Sequence, residues 1–141
     1  MSFFFKNYKL EDLAWMQPKT IHEALGIEIT AINPDGVSGK MPVDERTFQP
    51  FRLLHGGANV VLAESLGSLA SSLIIDPSTH YAVGLDINAN HVRPVKEGFV
   101  YGTCKPLHIG KKTHVWSIEI INEQEKLVCV CRLTMSINLK Q

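Results

Sequence analysis

Glu64 is the residue whose setting calls for a chemical reason. It is the only acidic or basic side chain between His55 and Ile75, in a stretch that is otherwise apolar or small. A carboxylate on a buried helix is costly unless something compensates it. Two readings follow: an internal partner satisfies it, or it is held ready as a nucleophile or general base. Ser68 lies at i+4 on the same helical face, within hydrogen-bonding reach. Leu54-His55-Gly56-Gly57 opens the stretch. Two glycines let a ligand approach the backbone closely, and the first N–H groups of a helix lie free at the positive end of its dipole. The Gly56 N–H is therefore a candidate oxyanion donor, although a glycine-containing cap accounts for the same residues. His55 reads equally as a structural histidine, and Gln49 stands in the loop just before.

Gly56 and Glu64 are eight residues apart, ~12 Å along one helix. One carbonyl does not readily touch both. If both act on one carbonyl, Glu64 must come from a second copy of the chain, its helix antiparallel across a twofold axis.

A basic run lies later. Lys105, His108, Lys111, Lys112 and His114 occur with no acidic residue among them, after Arg93 and Lys96. Gly110-Lys111-Lys112 reads as a strand turn offering N–H groups and cations together, which suits a phosphate-rich ligand; a solvated hairpin tip is the plainer reading. GxxxxGK[ST], HExxH, GxSxG and GxGxxG are all absent. The six histidines show no metal-ligand spacing, so we expect no metal and no cofactor.

These residues need a frame to hold them. Lys9 to Met16 and Thr20 to Leu25 read as short helices, broken at Pro18. Ile27 to Ile32 and Val37 to Val43 read as a hairpin around Asn33-Pro34-Asp35-Gly36, a turn in which Pro fixes φ and Gly tolerates φ > 0. Residues 44 to 54 read as a loop. Gly57 to about Ile75 is the one long helical candidate, ~28 Å at 1.5 Å per residue, and Pro77 marks its end. It reads as apolar nearly all round and hence buried. Ala63, Gly67 and Ala70 give it one thin side. Tyr81 to Val92, Phe99 to Leu107, Thr113 to Ile121 and Leu127 to Leu139 read as strands. The last has period-2 alternation, with Leu127, Cys129, Cys131, Leu133, Met135 and Ile137 on one face. The fold class is α+β: a long central helix wrapped by a curled antiparallel sheet, as a single domain over 1–141.

Composition agrees with this frame. The 141 residues are 45% hydrophobic and 20% charged, with 14 basic residues balancing 14 acidic. The total charge implies no nucleic-acid partner. Three cysteines without a CxxC point to a reducing compartment. The opening Met1-Ser2-Phe3-Phe4-Phe5-Lys6 lacks the parts of a signal peptide, and no run reaches the ~18 apolar residues of a membrane span. A cytoplasmic enzyme with no membrane association is the expectation.

Met41 to Ser68, with its core Gln49-Pro50-Phe51-Arg52-Leu53-Leu54-His55-Gly56-Gly57-Ala58-Asn59-Val60-Val61-Leu62-Ala63-Glu64, closely resembles hotdog-fold acyl-CoA thioesterases of the phenylacetate/4-hydroxybenzoyl-CoA type. The resemblance continues through Gly84 to Arg93 and Cys104 to Gly110. It implies an aromatic acyl-CoA thioesterase, with Glu64 as nucleophile or general base and the Gly56 N–H polarising the carbonyl. It implies that Gln49 and His55 orient the thioester or the attacking water, and that Ser68 positions water or the Glu64 carboxylate. Coenzyme A, as part of the substrate, would lie on His91, Arg93, Gly110, Lys111 and Lys112. Relatives often carry Ser/Arg-type residues where this chain has Lys111-Lys112-Thr113. Leu69 would line the acyl pocket. The family also implies a homotetramer, a dimer of hotdog dimers with sites at subunit interfaces. The alternatives are a proofreading thioesterase acting on hydroxybenzoyl carrier-protein thioesters, a hydratase on the same fold, and a non-catalytic acyl-CoA binding module.

Overall fold

The computed structural model describes residues 2–141; Met1, the first residue of the apolar opening run, lies outside them. A 3-10 helix, Leu10–Met16, precedes a short helix α1 (Ile21–Leu25). Strands β1 (Glu28–Asn33) and β2 (Gly36–Pro42) form the expected hairpin, with Asn33 opposite Gly36 across a Pro34-Asp35 loop. Helix α2 (Gly56–Ile74) follows, then β3 (His80–His91), β4 (Phe99–Ile109), β5 (Thr113–Ile121) and β6 (Leu127–Leu139).

All six strands join one open antiparallel sheet in the order β1-β2-β4-β5-β6-β3. Helix α2 packs on the face of this sheet, against β2 to β6. Its thin side makes that possible. Ala63 and Ala70 are fully buried, and a Cβ at Gly67 would stand 2.6 Å from Leu133 Cδ2. Leu62 and Leu66 meet Trp116, Ile118, Leu133 and Met135 in the core. Each such side chain contributes about 1.5–3 kcal/mol by leaving water. The alternating face of β6 is buried from Cys129 to Ile137, as its pattern requires. Helix α2 is long and apolar enough by composition to cross a membrane, but here it is the core helix, with 56% of its most apolar window buried. The opening aromatics pack on the same core: Phe4 is buried, and the Phe5 N–H donates to the Leu73 carbonyl at 2.8 Å.

One expectation needs correction. Helix α2 is not buried all round. Val61, Glu64, Ser65 and Ser68 are half-buried and Ser72 is exposed, so one face is left clear of the sheet. The small serines there soften an apolar pattern that had looked continuous. Residues 44–54 form the expected loop, pinned at two points. Phe48 bridges Leu54, and the buried Thr47 hydroxyl donates to the Pro42 carbonyl at 2.8 Å.

Strand β3 lies at the sheet edge, with Tyr81, Val83 and Leu85 exposed. It carries a bulge between Gly84 and Asp86 in its pairing with β6. A long apolar edge with unpaired backbone groups is a surface prepared for pairing.

Candidate active site

The start of α2 is pinned from several sides. The Leu54 N–H donates to the Val95 carbonyl at 2.9 Å, and the His55 N–H to the Thr47 carbonyl at 2.8 Å. His55 is the N-cap, and its Nδ1 accepts the Gly57 N–H at 2.8 Å. Its carbonyl takes the N–H groups of Ala58 (3.0 Å) and Asn59 (3.4 Å). No acceptor among the described residues takes the Gly56 N–H. Of the four orphan donors that open a helix, this one remains. A Cβ at Gly56 would stand 2.9 Å from Nε2 of the exposed His91 ring at the end of β3, which would have to move aside.

A cavity of about 400 Å³ lies in front of that N–H. Gln49, Gly56, Asn59, His91 and Arg93 line it, with apolar walls from Leu53 to Val95. Gln49 is fixed in a tight turn, where its Oε1 accepts the Phe51 N–H and its carbonyl the Arg52 N–H at 3.0 Å. Arg52 takes the left-handed φ of 64° that closes the turn. Asn59 is 3% exposed and its Oδ1 has no partner. A buried acceptor left unmet is costly and points to a donor from outside the chain.

Glu64 does not face this cavity. It lines a second one, of about 390 Å³, on the open face of α2 with Ser65, Ser68 and Leu69. The opposite wall is Trp15, Met16, Ile21 and His22, from the N-terminal segment. No ion pair or hydrogen bond with another described residue engages the Glu64 carboxylate. In particular the expected Ser68 bond is not formed; the Ser68 carbonyl instead accepts from the Ser72 hydroxyl at 3.0 Å. A Cβ at Gly84 would lie 2.6 Å from Glu64 Oε1, so the carboxylate reaches the bulged edge strand. Burial pushes the His22 imidazole below the usual histidine range.

The candidate residues thus fall into two groups within one chain. Gly56, Gln49, His91 and Arg93 share one cavity, with His55 capping the helix beside it; Glu64, Ser68 and Leu69 share the other. Gly110, Lys111 and Lys112 reach neither. Their turn joins β4 to β5, and the Gly110 N–H closes it on the Thr113 carbonyl at 2.9 Å. That N–H is therefore spent, while the lysine side chains are exposed.

Sequence reasoning missed Asn59, Gly84, His22 and the Trp15–Met16–Ile21 wall. Asn59 could have been found as the one amide in the apolar run after the glycines. Gly84 could have been found as a glycine inside a strand, a mark of bulges and close approaches. The N-terminal wall depends on how that segment folds back over α2.

A long helix laid on an open six-stranded antiparallel sheet is the hotdog architecture. The chain belongs to the thioesterase superfamily, whose family model matches residues 51–129. It is a thioester hydrolase. It is 54% identical over 132 residues to the 1,4-dihydroxy-2-naphthoyl-CoA hydrolase of Escherichia coli, covering 94% of this chain and 96% of that one. A crystallised thioesterase from Pseudomonas aeruginosa, solved as a glutamine-to-alanine variant, superposes with a TM-score of 0.96 at 45% identity, covering 99% of this chain and 100% of that one. A Staphylococcus aureus protein solved as a glutamate-to-alanine variant gives a TM-score of 0.83 at 39% identity, covering 86% and 100%; the same protein, there called a thioesterase, was also solved as a glutamine-to-alanine variant.

Proposed function

We propose that this enzyme hydrolyses an aromatic acyl-CoA, with 1,4-dihydroxy-2-naphthoyl-CoA of menaquinone biosynthesis as the leading substrate, in the cytoplasm. The observation that carries the reading is the unpaired Glu64 carboxylate on the open face of α2, in a cavity otherwise lined by apolar groups, serine hydroxyls and His22. The Escherichia coli relative's name supplies the acyl group. The Staphylococcus aureus variants replace a glutamine and a glutamate that are 15 residues apart, the spacing of Gln49 and Glu64 here.

Glu64 acts as nucleophile or as general base. As nucleophile, a carboxylate oxygen bonds to the thioester carbon, the C–S bond breaks, and water then cleaves the mixed anhydride. As base, it takes a proton from the water that attacks the same carbon. In both routes the oxygen gains negative charge, which the free Gly56 N–H receives at the positive end of the α2 dipole. The departing thiolate is a stable anion and needs no strong acid. Gln49 and His55 orient the thioester or the water, and Ser68 positions the water or the carboxylate. Leu69 lines the acyl pocket. Coenzyme A lies along His91 and Arg93, with its phosphates on the Gly110-Lys111-Lys112 turn; these cations are exposed and follow the charge logic of phosphate binding.

The two cavities support a site shared between subunits. Glu64 of one protomer completes the Gly56 cavity of its partner, and the exposed apolar edge of β3 supplies the pairing surface. Two such dimers make the tetramer. The orphaned Asn59 Oδ1 supports a donor arriving from substrate or partner. A thiol-release assay on 1,4-dihydroxy-2-naphthoyl-CoA, 4-hydroxybenzoyl-CoA, benzoyl-CoA and a hydroxybenzoyl carrier-protein thioester tests the function. The highest kcat/KM is expected for a CoA ester of an aromatic acid. Preference for the carrier-protein thioester would reassign the enzyme to proofreading.

A further inference from the structure

The wall opposite Glu64 holds more chemistry than an acyl pocket requires. Trp15, Met16 and Ile21 give it apolar surface, and His22 is set among them. His22 is 9% exposed, yet no hydrogen bond from its ring to any described residue is formed. Its backbone is engaged: the carbonyl accepts the Ile27 N–H at 2.8 Å and so anchors α1 to the start of β1. The ring also borders a second hollow between the 3-10 helix and β1, so it stands as a partition between two cavities. The ring nitrogens are not sealed within the protein, so they stand open to a group that enters the cavity.

We infer that His22 is a specificity residue that binds a ring hydroxyl of the acyl group, making the enzyme selective for hydroxylated aromatic thioesters. The inference rests on the reading of the Glu64 cavity as the acyl site. Burial keeps His22 neutral near pH 7, and a neutral imidazole offers one N–H donor and one acceptor nitrogen. A phenolic hydroxyl has the complementary pair. Charged groups would match it less well: a carboxylate on the acyl ring would face Glu64 across the same cavity. The flat apolar wall of Trp15, Met16 and Ile21 suits an aromatic ring, and about 390 Å³ accommodates one or two fused rings. A site built to bond a hydroxyl rejects the analogue without it far more strongly than an apolar pocket rejects a missing carbon.

The test compares 2-, 3- and 4-hydroxybenzoyl-CoA with benzoyl-CoA on the intact enzyme and on His22→Leu and His22→Gln. The wild type is expected to prefer its best hydroxy ester by tenfold or more in kcat/KM. His22→Leu is expected to lose that preference while keeping benzoyl-CoA turnover within about threefold, and His22→Gln, which retains a donor and an acceptor, to recover part of it. Equal losses on all four esters, or a wild type that does not distinguish them, would overturn the inference. Glu64-dependent hydrolysis of benzoyl-CoA in the same assay separates that failure from a failure of the Glu64 site itself. The wild-type preference needs no variant to fold.

Discussion

A β-carbon on Gly84 would stand 2.6 Å from Oε1 of Glu64, so the carboxylate of the central helix occupies space that only a glycine on the edge strand leaves open. The bulge between Gly84 and Asp86 bends β3 at this point, as bulges beside active sites do. Gly84→Ala should displace the carboxylate without disturbing the core, because Gly84 is itself exposed. We expect kcat to fall roughly tenfold to a hundredfold, with a melting temperature within a few degrees of wild type. Steady-state kinetics beside thermal unfolding check this. Unchanged kcat would mean that Glu64 need not hold this position.

A shared site makes a prediction about mixtures. Gly56→Pro removes the free N–H, and proline is tolerated at the first position of a helix; His55 already has the extended backbone that precedes proline, with φ −66° and ψ 131°, and the new Cβ presses only on the exposed His91 ring of the same cavity. Glu64→Ala removes the carboxylate. Each protein alone should be nearly inactive. Unfolded and refolded together, they form mixed dimers with one intact site in two, and activity should return to about a quarter of wild type. A mixture as inactive as its components would place both groups in one chain's site.

The core carries a polar triad away from both cavities. The Ser71 hydroxyl oxygen accepts the Trp116 indole N–H at 2.8 Å and lies 2.9 Å from His114 Nδ1. Trp116 and Ser71 are fully buried and His114 nearly so. Because the indole is only a donor, the hydroxyl proton is free to point at His114. Ser71→Ala leaves two buried groups unmet and should cost about 2–4 kcal/mol. Chemical denaturation measures that loss, and kcat of the folded variant should be unchanged.

Burial also lowers the His114 pKa, as it does that of His22. Above the unfolded value near 6.5 both rings are neutral in both states, and their environment imposes no proton-linked penalty. As pH falls below it, the unfolded chain takes up protons first and stability declines until the lower folded values are reached. Denaturation midpoints should be level from pH 8 to 7 and drop between about pH 6.5 and 5. His114→Gln should flatten part of that drop.

The frame was legible in the sequence to within a residue or two. Pro34 and Gly36 fixed the first turn, Pro77 stopped the long helix, and the alternation in β6 identified its buried face. Glu64 and the glycines stood out because their types conflict with their surroundings. Their separation along one helix was legible too, and within one chain they line separate cavities. What could not be read was distance in space. The gap left by Gly84 depends on a bulge, and the wall of Trp15 and His22 depends on a segment folding back across α2. The charge of the Lys111–Lys112 turn is visible in sequence, whereas its place outside the linings of both cavities is not.

The three thiols allow a simple check on packing. Burial pushes the Cys104 thiol up to about 12, and its sulfur accepts the Val37 N–H at 3.3 Å. Cys129 and Cys131 are buried side by side, with sulfurs 3.6 Å apart. Thiolates are the reactive species, so a disulfide reagent at pH 8 should titrate no thiol in the native enzyme and three in denaturant. Rapid reaction of the native protein would contradict the packing.

The central claim is that Glu64 performs the hydrolysis. The most direct measurement is thiol release from an aromatic acyl-CoA by wild type, Glu64→Ala and Glu64→Gln, with melting temperature read on the same samples. We predict that both variants keep the fold and lose roughly a thousandfold or more in kcat. Near-wild-type turnover by folded Glu64→Ala would contradict the account and leave the carboxylate without a function.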